Sequence, residues 1–129
     1  MKKMFLLFSH HLTDNQISDA KQNYNIEKFV SLPIHLQNIW RNISPYSNTI
    51  TSSIKEIIEF LDKNATENDF VLIQGDFGAT CIMVNYSFRN NLIPIYSTTK
   101  RISYETTQNE SVNKLSMFKH VKYRQYEIN

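Results

Sequence analysis

Glycine occurs at only two of the 129 positions, Gly75 and Gly78, and cysteine at one, Cys81. A single cysteine excludes an internal disulfide framework. Lying beside Ile82 and Met83 in a helical stretch, Cys81 is expected to be buried and inert, as suits a reducing cytoplasm. Proline is scarce as well, at Pro33, Pro45 and Pro94, and low-complexity tracts are missing, so long disordered tails are not expected. No apolar run is long enough to span a membrane. The run Met4 to Phe8 after Lys2 and Lys3 is too short for the apolar part of a signal peptide and leads into Ser9-His10-His11. Strong charge of one sign is also lacking, the net value being +2, and the excess of Lys and Arg falls in residues 100–129. That is too little to wrap duplex nucleic acid, while a small anionic ligand is easily accommodated.

What is present is a globular composition, 41% hydrophobic and 12% aromatic, arranged in alternating runs. Met4-Phe5-Leu6-Leu7-Phe8 is continuously apolar, as in a strand buried on both faces. Thr13 and Gln16 have the capping-box spacing, which predicts a helix from Asp14 toward Asn23. Phe29 to Leu32 reads as a second strand ended by Pro33. Ile34, Leu36, Ile39, Trp40 and Ile43 predict a short helix closed before Pro45. Ile50, Ile54, Ile57, Ile58 and Leu61 give the clearest amphipathic pattern, with Asn64 as its stop. Phe70 to Ile73 is a third strand, residues 79–90 a further helix, and Ile93 to Tyr96 a fourth strand. This order predicts an α/β, Rossmann-like parallel sheet flanked by helices on both faces, with ligands at the carboxyl ends of its strands.

After Lys100 the pattern changes. Residues 101–107 and 115–126 are rich in aromatic and β-branched types and are separated by Gln108-Asn109-Glu110-Ser111, which predicts a C-terminal β-hairpin with a long connection. One face of its second strand would carry Phe118, His120, Lys122, Arg124 and Tyr126. Residues 1–129 are read as a single domain, an α/β core over 1–100 followed by the hairpin over 101–129.

In such a sheet three segments emerge at one edge: Ser9-His10-His11, residues 74–80, and Ser97-Thr98-Thr99-Lys100-Arg101. Gly75 and Gly78 permit a left-handed backbone or the close approach of a phosphate to outward-pointing N–H groups, or serve only a tight strand-to-helix turn. The loop lacks both the dinucleotide fingerprint and the Walker lysine, which disfavours nicotinamide cofactors and triphosphatases. Asp76 either caps the helix that follows or accepts from a sugar hydroxyl or base amine. His10 or His11 could move a proton near neutral pH, and Lys100 and Arg101 could hold an anion; each is equally readable as a surface residue. A metal site is not expected, because no third ligand at a characteristic spacing accompanies the histidines.

The strings Leu7-Phe8-Ser9-His10 with Leu12-Thr13 and Gln16, Val71 to Thr80, Thr98-Thr99-Lys100-Arg101, and Phe118-Lys119-His120-Val121 carry a resemblance that runs from Phe5 to Tyr126. With them the chain resembles the Csx family numbered twenty, small CRISPR-associated proteins of type III systems. The resemblance implies a CARF-like Rossmann fold, a homodimer, and ring-nuclease activity on cyclic tetra-adenylate, the second messenger of those systems. On this reading His10, Lys100 and Arg101 are the candidate catalytic residues. Ser9, His11, Gln74, Gly75, Asp76, Phe77, Gly78, Thr80, Thr98 and Thr99 are the candidate ligand contacts. No cofactor, duplex nucleic acid or membrane partner is expected. A protein that binds the ring without cutting it is the alternative; no Arg followed four to six residues later by His is present to suggest an attached ribonuclease, and a flavodoxin-like nucleotide protein is a third possibility.

Overall fold

The computed structural model describes residues 1–108 and 111–128, with side chains at 1–103 and 117–128. Nine elements follow in the order β1 (Lys3–Leu7), α1 (Asp14–Tyr24), β2 (Lys28–Ser31), α2 (Ile34–Arg41), α3 (Lys55–Asn64), β3 (Phe70–Ile73), α4 (Phe77–Arg89), β4 (Ile93–Gln108) and β5 (Ser111–Gln125). They form one five-stranded sheet in the order β2-β1-β3-β4-β5, in which β1 to β4 run parallel and β5 is antiparallel to β4. The order reverses between β1 and β3, a topological switch point of the kind where doubly wound sheets place their ligands.

The apolar runs explain the central strands. All four residues of β3 are buried, as are Met4, Phe5 and Leu7 of β1, because helices cover both faces. Phe5, Leu7, Val71 and Ile73 face α2, α3 and α4, packing with Trp40, Ile57, Leu61, Met83 and Tyr86. Met4, Phe70, Leu72 and Ile95 face α1, packing with Ala20, Ile26 and Tyr123. Three helices therefore cover one face and a single helix the other, so β5 has to supply Tyr123 to complete the thinner layer.

Local signals set the helix starts. Thr13 caps α1, its hydroxyl accepting from the Gln16 amide at 3.2 Å while the Gln16 side chain accepts from the Thr13 amide at 2.8 Å. Such a cap contributes about 1 kcal/mol. The helix expected from Ile50 begins only at Lys55: residues 51–54 form turns, although Ile50 and Ile54 still pack inward. Side-chain periodicity marks an apolar face, not the residue at which helical hydrogen bonding starts. Cys81 is exposed, against expectation. Ala79, Met83 and Tyr86 form the buried stripe of α4, and Cys81, two residues from both Ala79 and Met83, falls on its outer side.

The largest departure is in β4, expected to end at Tyr96 and release a loop. It runs on to Gln108, and its segment from Ile95 onward pairs with β5. Both strands of the hairpin are longer than expected, ending at Gln108 and beginning again at Ser111; Asn109 and Glu110 of the expected connection lie outside the described residues. Among the described residues no helix is long and apolar enough to cross a membrane.

Candidate functional site

The glycine segment owes its composition to packing. Neither glycine has a positive φ, so of the alternatives they permit the left-handed backbone is not the one used. Trp40 of α2 fills the space instead: a Cβ on Gly75 would stand 2.8 Å from indole Cε2 and Nε1. The indole is itself fixed, buried and donating from Nε1 to the Gln74 carbonyl at 3.1 Å. A Cβ on Gly78 would meet the terminal methyl of Ile50, the far end of a flexible and only partly buried side chain, and would stand 3.4 Å from Asp76 Oδ2. Gly75→Ala is therefore expected to cost about 1–3 kcal/mol, the range for overpacking against a side chain that has no room to yield. Gly78→Ala, near a helix start, is expected to be neutral or to gain up to about 1 kcal/mol. Urea denaturation of the two variants checks this, and equal midpoints would refute it.

The other residues of the segment divide. Asp76 takes the simpler of its two roles, capping α4 by accepting from the Ala79 amide at 3.0 Å. The Gln74 side chain accepts from the Ser97 amide at 2.8 Å and ties β3 to β4. Thr80 Oγ1 is buried without a hydrogen-bond partner, so a ligand on the outside of the loop does not reach it. Phe77, at the first position of α4, is 94% exposed and offers a bare aromatic ring at the sheet's carboxyl edge.

Ser9, His10 and His11 come together in a cavity of about 310 Å³ at the carboxyl ends of β1 and β2. Its apolar walls include Leu6, Phe8, Leu12 and Phe29. The His10 ring stands edge-to-face with Phe8 at 5.5 Å between centroids, an arrangement that orients the imidazole. The same cavity is lined by Ser31, Gln37 and Arg41, none of which the sequence reading singled out. Arg41 closes the last turn of α2, where a basic residue reads simply as a complement to the helix dipole. Only the crossover from β2 to α2 brings it into one cavity with residues 9–11.

The third expected segment is strand, not loop. The register of β3 and β4 sets Leu72 beside Ile95, so Thr98 and the residues after it continue β4 past the carboxyl edge. Thr98 Oγ1 donates to the Lys122 carbonyl at 2.9 Å; Thr99, Lys100 and Arg101 are exposed on the strand and do not line the cavity. Lys100 pairs in register with Lys119 and Arg101 with Phe118.

A bulge divides the expected face of β5. Thr98 pairs with Lys122 and Thr99 with His120, leaving Val121 as the extra residue and reversing the alternation around it. His120 and Tyr123 thus both turn inward toward α1, while Arg124 and Tyr126 lie on the opposite face against Tyr96. The buried His120 joins Ser97 and Asp19: Ser97 Oγ lies 2.5 Å from Nδ1, and Nε2 lies 2.7 Å from Asp19 Oδ2. With Asp19 accepting from Nε2–H, Nδ1 accepts from the serine hydroxyl.

The residue types are those of a hydrolytic triad, but the surroundings are not. Ser97 is buried, its hydroxyl also receives Gln16 Nε2 at 3.4 Å, and its amide is committed to Gln74, so neither an entry path nor an oxyanion donor is present there. The cluster is a clamp between α1 and the β4–β5 pair, reinforced by Asn15 Nδ2 donating to the His120 carbonyl at 3.0 Å and Tyr123 donating to the Gln16 carbonyl at 2.9 Å. Burial, with Asp19 and Tyr24 adding to it, raises the Tyr123 phenol above its ordinary 10.0 and keeps it a neutral donor.

No solved structure matches the chain. Over 126 residues it is 52% identical to Uncharacterized protein MJ1673 of Methanocaldococcus jannaschii, with 98% of each chain covered. The model of the Uncharacterized protein MJ1673 family matches residues 2–124, so the chain belongs to that family.

Proposed function

We propose that this protein binds a cyclic oligoadenylate, cyclic tetra-adenylate in the first instance, and cleaves it as a ring nuclease acting in the cytoplasm to end type III CRISPR signalling. The observation that carries the reading is the cavity at the carboxyl edge, lined by His10 and His11 and by the basic Arg41, on a sheet whose extended β4 carries Lys100 and Arg101 outside that lining. Charge, aromatic surface and a proton-transfer group are what a cyclic phosphodiester requires. A four-nucleotide ring has two-fold symmetry and exceeds a cavity of about 310 Å³. An isologous homodimer, with the two carboxyl edges facing across the ring, satisfies both facts.

The chemistry needs no cofactor. A ribose 2′-oxygen attacks the adjacent phosphorus as His10 takes its proton; the bond from phosphorus to the 5′-oxygen breaks, and that oxygen takes a proton from water, to which His10 later returns its own. The products are a 2′,3′-cyclic phosphate and a 5′-hydroxyl. Holding the 2′-oxygen in line supplies much of the acceleration. Lys100 and Arg101 balance charge on the phosphoryl oxygens, and the exposed Phe77 gives a base a surface to stack on.

Binding without cleavage is the second reading, favoured by one observation: His10 lines the cavity while Lys100 and Arg101 do not. Incubating the purified protein with labelled cyclic tetra-adenylate in chelator separates the two. Linear products over many turnovers are expected; intact ring retained by the protein would leave only sequestration, and failure to bind would overturn both.

A further inference from the structure

The far wall of the cavity has its own chemistry. Gln37 is held in place because its Nε2 donates to the Leu32 carbonyl at 2.7 Å. That amide keeps a second N–H and a carbonyl oxygen, one donor and one acceptor. An adenine edge presents the complement, a 6-amino donor next to the N7 acceptor, whereas guanine presents two acceptors there. Phe8 and Phe29 supply aromatic walls on which a base can stack. Arg41 reaches the same cavity, forms no ion pair among the described residues, and shares the lining with no acidic side chain. Its guanidinium is suited to a phosphate. The volume, about 310 Å³, lies at the lower end of the range for ligand pockets and fits one nucleotide.

We propose that this cavity is an adenine-nucleotide subsite in which Gln37 reads the base and Arg41 holds its phosphate. This deepens the reading above and rests on it for the identity of the whole ligand: each protomer would seat one nucleotide of the ring here, leaving the neighbouring phosphodiester toward the axis.

The test is calorimetric titration of the full chain with AMP, GMP and adenosine, alongside cyclic tetra-adenylate. The native protein is expected to prefer AMP over GMP by at least tenfold and AMP over adenosine by a similar factor. Arg41→Gln, an exposed position, should remove the preference for AMP over adenosine while leaving adenosine binding unchanged. Gln37→Met should reduce the preference for AMP over GMP; because Gln37 also holds Leu32, the Arg41 comparison decides the matter if that variant fails to fold. Absence of AMP binding, equal affinity for AMP and GMP, or an Arg41→Gln protein that still distinguishes AMP from adenosine would each overturn the subsite, even if the ring is still cleaved. AMP binding that depends on Arg41, with no binding of the ring, would uphold the subsite and sink the ring-nuclease reading instead.

Discussion

The His10→Ala variant is expected to lose about 10²–10⁴ of the cleavage rate, the contribution usual for a positioned general acid or base. The loss should fall on kcat, with little change in KM, because His10 acts on the proton that moves in the transition state. The side chain is exposed and its one described partner is the ring edge of Phe8, so the thermal midpoint should stay near that of the parent. Single-turnover assays across pH, with cyclic tetra-adenylate in excess chelator, give the measurement. His11→Ala is the matching comparison, since the two imidazoles are adjacent along the cavity rim. If His11→Ala carries the loss and His10→Ala does not, the roles are exchanged; if both variants cleave at the parent rate, neither histidine handles the proton.

Asp19→Ala is expected to produce the other large effect, on stability. It leaves His120 Nε2 without its acceptor in a site where the imidazole is almost wholly enclosed, the His120 side chain being 2% exposed and that of Asp19 12%. An unsatisfied buried polar group costs about 1–3 kcal/mol. Against a total of about 5–15 kcal/mol, this is a large share. The damage should extend to the β4–β5 pair, because the same imidazole holds Ser97 on one side of the bulge at Val121. Denaturation midpoints of Asp19→Ala, Ser97→Ala and the double variant check the connection. Coupling of about 0.5–3 kcal/mol is expected for members of one network. Strictly additive losses would show that the three residues are neighbours without being a clamp. A pure triad reading makes the opposite forecast, a protein of native stability that has lost an esterase activity.

These two experiments concern features that differ in how they arise from the chain. The place of His10 was legible because it stands two residues after a continuous apolar run, and the residues after such a strand lie at the carboxyl edge of a parallel sheet wherever the helices pack. The glycine loop was legible for the same reason, and so was the cap of α1, since a capping box is completed within four residues. The role of the glycines was not. Their freedom of φ goes unused, and the reason for Gly75 is the indole of Trp40, thirty-five positions earlier. Arg41 was equally invisible, because nothing in its neighbourhood along the chain distinguishes it from any basic residue at a helix end.

The sequence by itself determined the order of strands and helices as far as the fourth strand and the parallel sheet they form. Those follow from apolar runs, caps and breakers that act over a few residues. Only the tertiary structure decided which polar groups meet. A single extra residue at Val121 reverses the facing of a strand, turns His120 from the surface into a buried clamp with Asp19, and separates it from Arg124 and Tyr126. No periodicity marks such a bulge, because its position is set by which partner strand and helix must be satisfied. For the same reason the crossover that brings Arg41 and Gln37 into one cavity with the histidines becomes apparent only once β1 and β2 are paired.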